Sequence, residues 1–466
     1  KGMARVNGCN KVLDNFNYFS DDWIGNFETK IMKLKNENLK KKYLIYGFGK
    51  SGFASYKFLK QKNNCKIFDD NKKNVPLKFR SKTIDYKQLK SNFFDHIVIS
   101  PGIDINKCKL SKYLKKNRSK VITDLDIFYL NYPKIKKISV TGTNGKSTTS
   151  KLLYEVLKDH KKDVRLTGNI GNPVLLEKRI KNNTLFIIET SSYQLEYSKF
   201  YKSEYSIILN LFPDHLERHG SFVNYIKAKF KLLKKQSKNN YGFIESNNKT
   251  LNYLVKKNKV KSKVVKVNYN KYQKHYKLIS NYYFKNKSNI KNLSFIFSLA
   301  KYLNLKTKKI IKVTNKFKGL DFRQQIVYDS KKLTVINDSK STSLSSTKPL
   351  LESYKNIYWI LGGLAKKGDK LNLDKKYYKK IKAFIFGKDK IFFSKIFSKK
   401  IKYKISKNLK DSFKLVLKDL NHDNDKKKII LFSPSAASFD QFKNFEERGK
   451  YFNKIFKNCF KSEVFK

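Results

Sequence analysis

The chain has 466 residues, 40% of them hydrophobic and 14% aromatic, which is more than one hydrophobic core serves, so two or three domains are expected. Lys and Arg number 104 against 37 Asp and Glu, a net charge of +67, but the lysines are spread along the whole chain with Asn, Ile, Tyr and Phe, as an A/T-rich coding sequence would give; such a charge favours anionic small molecules and non-specific RNA binding over a specific nucleic-acid role. Cys9, Cys65, Cys108 and Cys459 form no C-x-x-C pair, and no apolar run reaches the ~18 residues of a membrane span or the core of a signal peptide, so a soluble, cytoplasmic chain is expected.

Residues 1–31 differ from the Lys-rich sequence after Met32 and are expected to be an upstream extension or the result of a misplaced start. The apolar run 43–46 leads into Gly47-Phe48-Gly49-Lys50-Ser51-Gly52 and a helix, and the run 66–68 ends at Asp69-Asp70. That is a dinucleotide-type fingerprint, and a dehydrogenase is a competing reading. The run 96–100 meets Pro101-Gly102. The run 137–140 is followed by Thr141-Gly142-Thr143-Asn144-Gly145-Lys146-Ser147-Thr148 and a helix with Leu152, Leu153, Val156 and Leu157 on one face. Glycines there let backbone N–H groups approach phosphate, Lys146 can bridge β- and γ-phosphates, and the Ser147 hydroxyl can hold Mg²⁺. The loop is two residues shorter than the usual G-x-x-x-x-G-K-[ST] spacing.

Further on, a strand ends in Glu189, placed as a second protein ligand for a phosphate-bound Mg²⁺. The run 205–209 enters Asn210-Leu211-Phe212-Pro213-Asp214-His215-Leu216-Glu217-Arg218-His219-Gly220-Ser221 and a helix bearing Tyr225 and Lys229. Residues 233–291 are Lys/Asn/Tyr-rich with weak periodicity, either a variable sheet or partly mobile, and carry no assigned chemistry. Strands are then expected around Arg323 and 335–338, and at 358–361, 383–386 and 429–432. Continuous apolar strands alternating with amphipathic stretches predict an α/β chain of parallel sheets with ligands at the strands' carboxyl ends. Three domains are expected: 32–124, Rossmann-like; 125–319, P-loop ATPase-like; and 320–466, Rossmann-like.

The shortened loop resembles that of the Mur ligases and folylpolyglutamate synthases, and motifs in order from residue 40 to 455 identify the chain as a member of the Mur ligases. The resemblance implies an ADP-forming amide-bond ligase of peptidoglycan precursor synthesis, monomeric, using ATP and two Mg²⁺ ions, with Lys146, Glu189, His215 and Lys229 as the catalytic set. By resemblance, Gly142, Thr143, Asn144, Gly145, Lys146, Ser147, Thr148, Arg323 and Asp338 bind ATP. Lys50, Ser51, Asp69, Ser100, Gly102, Asn169, Ser191 and Gln194 bind the UDP-linked substrate. The resemblance also makes His215 and a carbamylated Lys229 ligands of a second Mg²⁺, beside Ser147 and Glu189, with a proton-handling role for His215 left open. Asn289 and Asn292 lie where the family has an adenine-side HN-x-x-N pattern, but Ser288 replaces the His. The segments 361–369 and 433–449 resemble the branch that adds D-glutamate to UDP-N-acetylmuramoyl-L-alanine, which implies Thr342, Lys366, Ser438 and the Phe445 backbone as the amino-acid site. The DNPR-like string of sister ligases is missing from the sequence.

Overall fold

Apolar strands bounded by glycine and polar turns assemble in parallel when helices can cover both faces. The computed structural model describes residues 40–366, 368–398, 400–420 and 427–461, and it contains three sheets; the expected extension at 1–31 lies outside the described residues. The first sheet joins β1 (Lys42–Tyr46), β2 (Asn64–Phe68), β3 (His96–Ile99) and β4 (Val121–Ile122) in the order β2-β1-β3-β4, all parallel. The second joins β5 (Lys136–Thr141), β6 (Val164–Gly168), β7 (Leu185–Glu189), β8 (Tyr205–Ile208), β9 (Tyr241–Glu245) and β10 (Lys263–Val267) in the order β10-β9-β8-β5-β7-β6, again all parallel. The third joins β11 (Gln325–Asp329), β12 (Leu333–Asn337), β13 (Ile357–Gly362), β14 (Ile381–Phe386), β15 (Lys402–Ile405) and β16 (Lys428–Phe432) in the order β11-β12-β16-β13-β14-β15. One sheet falls in each residue range expected to be a domain. By compactness the chain divides at Asn268 and Tyr269, with the first two sheets in one unit and residues 269–319 in the same unit as the third sheet.

One feature departs from the sequence reading, and one of the two alternatives for residues 233–291 is realised. β11 is antiparallel to β12 where a parallel sheet was expected. The connection is only Ser330-Lys331-Lys332, closed by the Ser330 N–H donating to the Leu333 carbonyl at 2.8 Å, and so short a link permits a hairpin but no crossover. The Lys/Asn/Tyr-rich stretch supplies β9, β10 and a helix, Lys249–Lys257, that buries Leu251 and Leu254. Its periodicity is weak because β10 is an edge strand, with only Val267 buried.

Polar groups deep in the fold are held by dense bonding, as burial requires. Trp359 is fully buried on β13 and its indole N–H donates to the Ser433 carbonyl at 2.8 Å. Asp126, fully buried at the first turn of helix Asp124–Asn131, accepts from the Thr123 N–H and hydroxyl, the Ser198 hydroxyl and the N–H groups of Lys199, Phe200 and Tyr201. One carboxylate therefore joins the end of the first sheet's segment to the loop before β8. Asp126→Ala strands these donors in the interior and is expected to cost roughly 3 kcal/mol or more of stability, read as an earlier midpoint in urea; Asp126→Asn, which keeps one acceptor oxygen, should lie between.

Candidate functional site

β5 pairs in parallel with both β7 and β8, so Val140 lies between Glu189 and Ile207 and the three strands stop together. The loop after β5 turns through Gly145, whose φ of +82° is left-handed and suits glycine, into helix Lys146–Asp159. Gly145 offers no side chain to cap that helix, and a phosphate suits such an end. Lys146 Nζ folds back to donate to the carbonyls of Gly142 at 2.9 Å and Thr143 at 2.8 Å, while Ser147 and Thr148 are buried in the first turn. Asn210, just past β8, grips the loop: its Oδ1 accepts from the Asn144 N–H at 2.8 Å and its amide donates to the Asn144 carbonyl at 3.0 Å. Thr143 Oγ1 accepts from the Phe212 N–H at 2.9 Å and pairs with the Tyr225 hydroxyl at 3.0 Å.

Glu189 is 1% exposed. Its Oε1 accepts from the Asn169 amide at 3.0 Å, and its buried Oε2 has no hydrogen-bond partner among the described residues. An orphaned carboxylate oxygen in the interior is costly unless a cation meets it, and in that respect the site suits Mg²⁺. No group of three or more His, Cys, Asp and Glu gathers among the described residues, so an ion here would take few protein ligands and complete its shell with phosphate oxygens and water. Lys229, 2% exposed, donates from Nζ to Thr141 Oγ1 at 3.2 Å and to the Gly142 carbonyl at 3.0 Å, with the Tyr225 ring 4.7 Å away. Burial, then the neighbouring Lys146 charge, hold its amine well below the usual lysine pKa, against the opposing pull of Asp214 and Glu189. His215 has a left-handed φ of +53° before helix Leu216–His219; its Nδ1 pairs with the Tyr193 hydroxyl at 3.0 Å and its Nε2 lies 3.4 Å from Asp214.

In the first sheet, the loops after β1, β2 and β3 meet. Phe48 N–H donates to Asp69 Oδ2 at 2.7 Å, Asp69 Oδ1 accepts from Asn71 and Asn74, and the Ser100 hydroxyl donates to the Gly47 carbonyl at 2.6 Å. Lys50 and Ser51 open helix Lys50–Leu59, and Ser51 pairs with the buried Asp124, whose carboxyl burial pushes up to about 6. Gly102 is exposed on the loop after β3. Ser191 and Gln194 form the capping box of helix Ser192–Tyr197, a local structural task.

The second unit carries the remaining candidates. Asp338, just past β12, accepts from the Gln324 N–H at 3.0 Å and the Ser433 hydroxyl at 2.9 Å; burial pushes its carboxyl up to about 7. Asn289 donates to Gln324 Oε1 at 2.9 Å, which ties helix Lys287–Leu303 to the Arg323-Gln324 turn, and the buried Asn292 amide nitrogen has no partner among the described residues. Ser288 lies in that helix's first turn, its N–H bonded to Asn286. Reciprocal backbone bonds between Leu364 and Ala437 hold the Lys366 and Ser438 loops together. Thr342 and Lys366 are exposed, Ser438 is buried, and Phe445 begins helix Phe445–Lys461.

Residues 140–319 match the family model described as the Mur ligase middle domain. The UDP-N-acetylmuramoylalanine--D-glutamate ligase of Rickettsia bellii is 33% identical over 437 residues, 88% of this chain and 96% of that protein; the enzyme of the same name from Buchnera aphidicola is 35% identical, over 90% and 98%. The chain belongs to the Mur ligase family. Solved Mur ligases share its fold: the MurF ligase of Thermotoga maritima in complex with ADP has a TM-score of 0.54 at 15% identity, covering 91% of this chain and 97% of its own. The UDP-N-acetylmuramate-alanine ligase of the same organism has a TM-score of 0.52 at 15% identity, covering 90% and 100%.

In this Mur ligase several side chains at the site had no role in the sequence reading. Asn210 clamps the phosphate loop, and an Asn one residue beyond a strand end was the available signal. Arg448, 1% exposed, donates to Ser339 Oγ and to the Ser339 and Ala436 carbonyls, bracing the loops of the amino-acid candidates.

The Asp338 carboxyl gives a pH signature. With a folded pKa near 7 against 3.8 unfolded, the native state keeps a proton that the unfolded chain has lost, so this group's contribution to stability is present at low pH and declines as pH rises through about 7. Comparing wild type with Asp338→Asn by thermal melting between about pH 4 and 7 should show wild type losing stability relative to the variant; parallel curves would refute the assignment.

Proposed function

We propose that this Mur ligase uses ATP to join D-glutamate to UDP-N-acetylmuramoyl-L-alanine, releasing ADP and phosphate, in peptidoglycan precursor synthesis. The observation that carries the reaction class is the pairing of a clamped phosphate loop bearing Lys146 with a Glu189 oxygen, one strand away, that has no partner among the described residues. The choice of amino acid rests on relatives named for that reaction along nearly their whole length.

Lys146 and the loop N–H groups would hold the β- and γ-phosphates while the L-alanyl carboxylate attacks the γ-phosphorus, forming an acyl phosphate as ADP leaves. The D-glutamate amine then attacks the acyl carbon and phosphate departs with the bond electrons. Ser147 and Glu189 would hold one Mg²⁺, and His215 with Lys229 as its carbamate a second; bound there, Mg²⁺ supplies positive charge against the phosphate oxygens. Asn169 orients Glu189 through its amide. Lys229 suits carbamylation because burial holds its amine well below the usual lysine pKa, which favours the neutral form that can attack carbon dioxide, lose a proton and become an anionic carbamate able to ligate Mg²⁺. Lys50, Ser51, Asp69, Ser100 and Gly102 are the proposed contacts to the UDP portion, joined by Asn169, Ser191 and Gln194.

Arg323, Asp338 and Asn292 are proposed ATP contacts. Lys366 would pair the α-carboxylate of D-glutamate, and Thr342, Ser438 and the Phe445 N–H would meet its γ-carboxylate. We further propose three domains at the boundaries given above, a monomer, and a cytoplasmic location; no helix among the described residues is long and apolar enough to cross a membrane.

Phosphate release from Mg-ATP with UDP-N-acetylmuramoyl-L-alanine is expected with D-glutamate and not with L-glutamate, L-lysine or meso-diaminopimelate; release with another amino acid instead would reassign the third sheet's specificity. Native mass spectrometry of active enzyme kept in bicarbonate should show the added mass of one carbon dioxide, lost in Lys229→Ala together with a hundredfold or greater fall in kcat, on the order expected for a misplaced charge stabiliser. A free amine in fully active enzyme would rule the carbamate out.

A further inference from the structure

The segment between β8 and the Tyr225 helix, residues 210–219, is fastened at both ends to loops with different tasks. Its first residues hold the phosphate loop, through Asn210 on Asn144 and Phe212 on Thr143. Its last turn holds the loop after β3. Arg218, with 7% of its side chain exposed, donates from Nη2 to the Ile103 carbonyl at 2.6 Å and from Nη1 to the Gly102 carbonyl at 3.4 Å, while Nε donates to Glu196 Oε2 at 3.0 Å. The guanidinium carbon also lies 5.0 Å from the Tyr193 ring and 5.5 Å from the Tyr197 ring. Two more ties run the same way: Lys107 Nζ donates to the Glu217 carbonyl at 2.9 Å, and the Ile105 N–H donates to the Tyr197 hydroxyl at 3.3 Å.

A planar guanidinium meets several acceptors in one fixed orientation, which an ammonium on a flexible stem does not do. Tyr193, under Arg218, also holds His215 Nδ1. The Gly102-Ile103 loop is thus linked to His215 through Arg218 and Tyr193, and to the phosphate loop along the segment's backbone.

We infer that Arg218 is a positioning residue that transmits occupancy of the nucleotide-sugar loop at Gly102 to His215 and to the phosphate loop at Thr143 and Asn144, so that the two substrates bind with positive coupling. This rests on the proposed function, because it takes the loop after β3 to meet the UDP-linked substrate.

The test measures the dissociation constant of UDP-N-acetylmuramoyl-L-alanine by calorimetry, with and without saturating Mg²⁺ and a non-hydrolysable ATP analogue, for wild type, Arg218→Lys and Lys107→Ala. Wild type should bind the nucleotide sugar roughly fivefold or more tightly when the analogue is present. In Arg218→Lys that ratio should fall toward one while affinity for the analogue alone stays within about twofold, a pattern that general loosening of the fold would not give. Lys107→Ala should lower the ratio partway, and it decides the matter if Arg218→Lys melts early. A wild-type ratio of one, or variants that keep the wild-type ratio, overturn the inference. Wild type that binds no nucleotide sugar at all would instead overturn the functional reading beneath it.

Discussion

The geometry of the nucleotide site depends on one pairing constraint, the parallel registration of β5 against β7 on one side and β8 on the other. The backbone continues the ladder past the strands: Thr190 N–H donates to the Val140 carbonyl at 3.0 Å, Leu209 N–H to the Thr141 carbonyl at 3.0 Å, and the Thr141 hydroxyl to the Thr190 carbonyl at 2.8 Å. Residues far apart in the chain are thereby fixed within a few strand spacings of each other. The glycine loop, the carboxylate of Glu189 and the clamp of Asn210 each begin where one of these strands stops. A slip of one residue would turn every side chain to the other face and dismantle the site together with the core.

Polar groups under the loop are left in an expensive state. Lys229 is an amine in the interior beside a second cation, and Glu189 keeps one oxygen with no donor among the described residues. A fold selected for stability alone would replace such groups with apolar ones or neutralise them. Both groups lie beside the glycine loop, where a ligand carrying the complementary charge would lower that cost. The first sheet differs, since Asp69 and Ser100 already spend their hydrogen bonds on the Gly47-Phe48 turn and shape the loop that a diphosphate would meet.

Much of this was legible in the sequence because the signals are local. The glycine loop with Lys146-Ser147 sits in consecutive residues, and the strand expected to end in Glu189 does end there. What was not legible depends on contacts between distant residues. Asp126 looks like an ordinary acidic N-terminal helix residue until its bonds to residues 198–201 are seen, and Arg218 like a surface charge in a polar string until its acceptors at Gly102 and Ile103 are known. The antiparallel β11 was missed because the apolar pattern of an edge strand does not report its direction; the Ser330-Lys331-Lys332 turn does. Ser191 and Gln194 show the reverse difficulty, since a helix cap and a ligand contact draw on the same residue types.

The outer strand of the third sheet carries one more consequence. β15 is exposed at every residue, and its sequence Lys402-Tyr403-Lys404-Ile405 presents two large apolar side chains on a backbone edge that pairs with no other strand among the described residues. Such an edge is a template for strand addition from another molecule. Lys402 and Lys404 alternate with the apolar residues, and Asp419 fixes Lys404 at 2.6 Å, so an identical edge approaching it meets ammonium groups before it can zip. Charged lysines on an edge strand disfavour that kind of strand addition, so residues that look like compositional drift sit where a sheet edge has most use for them.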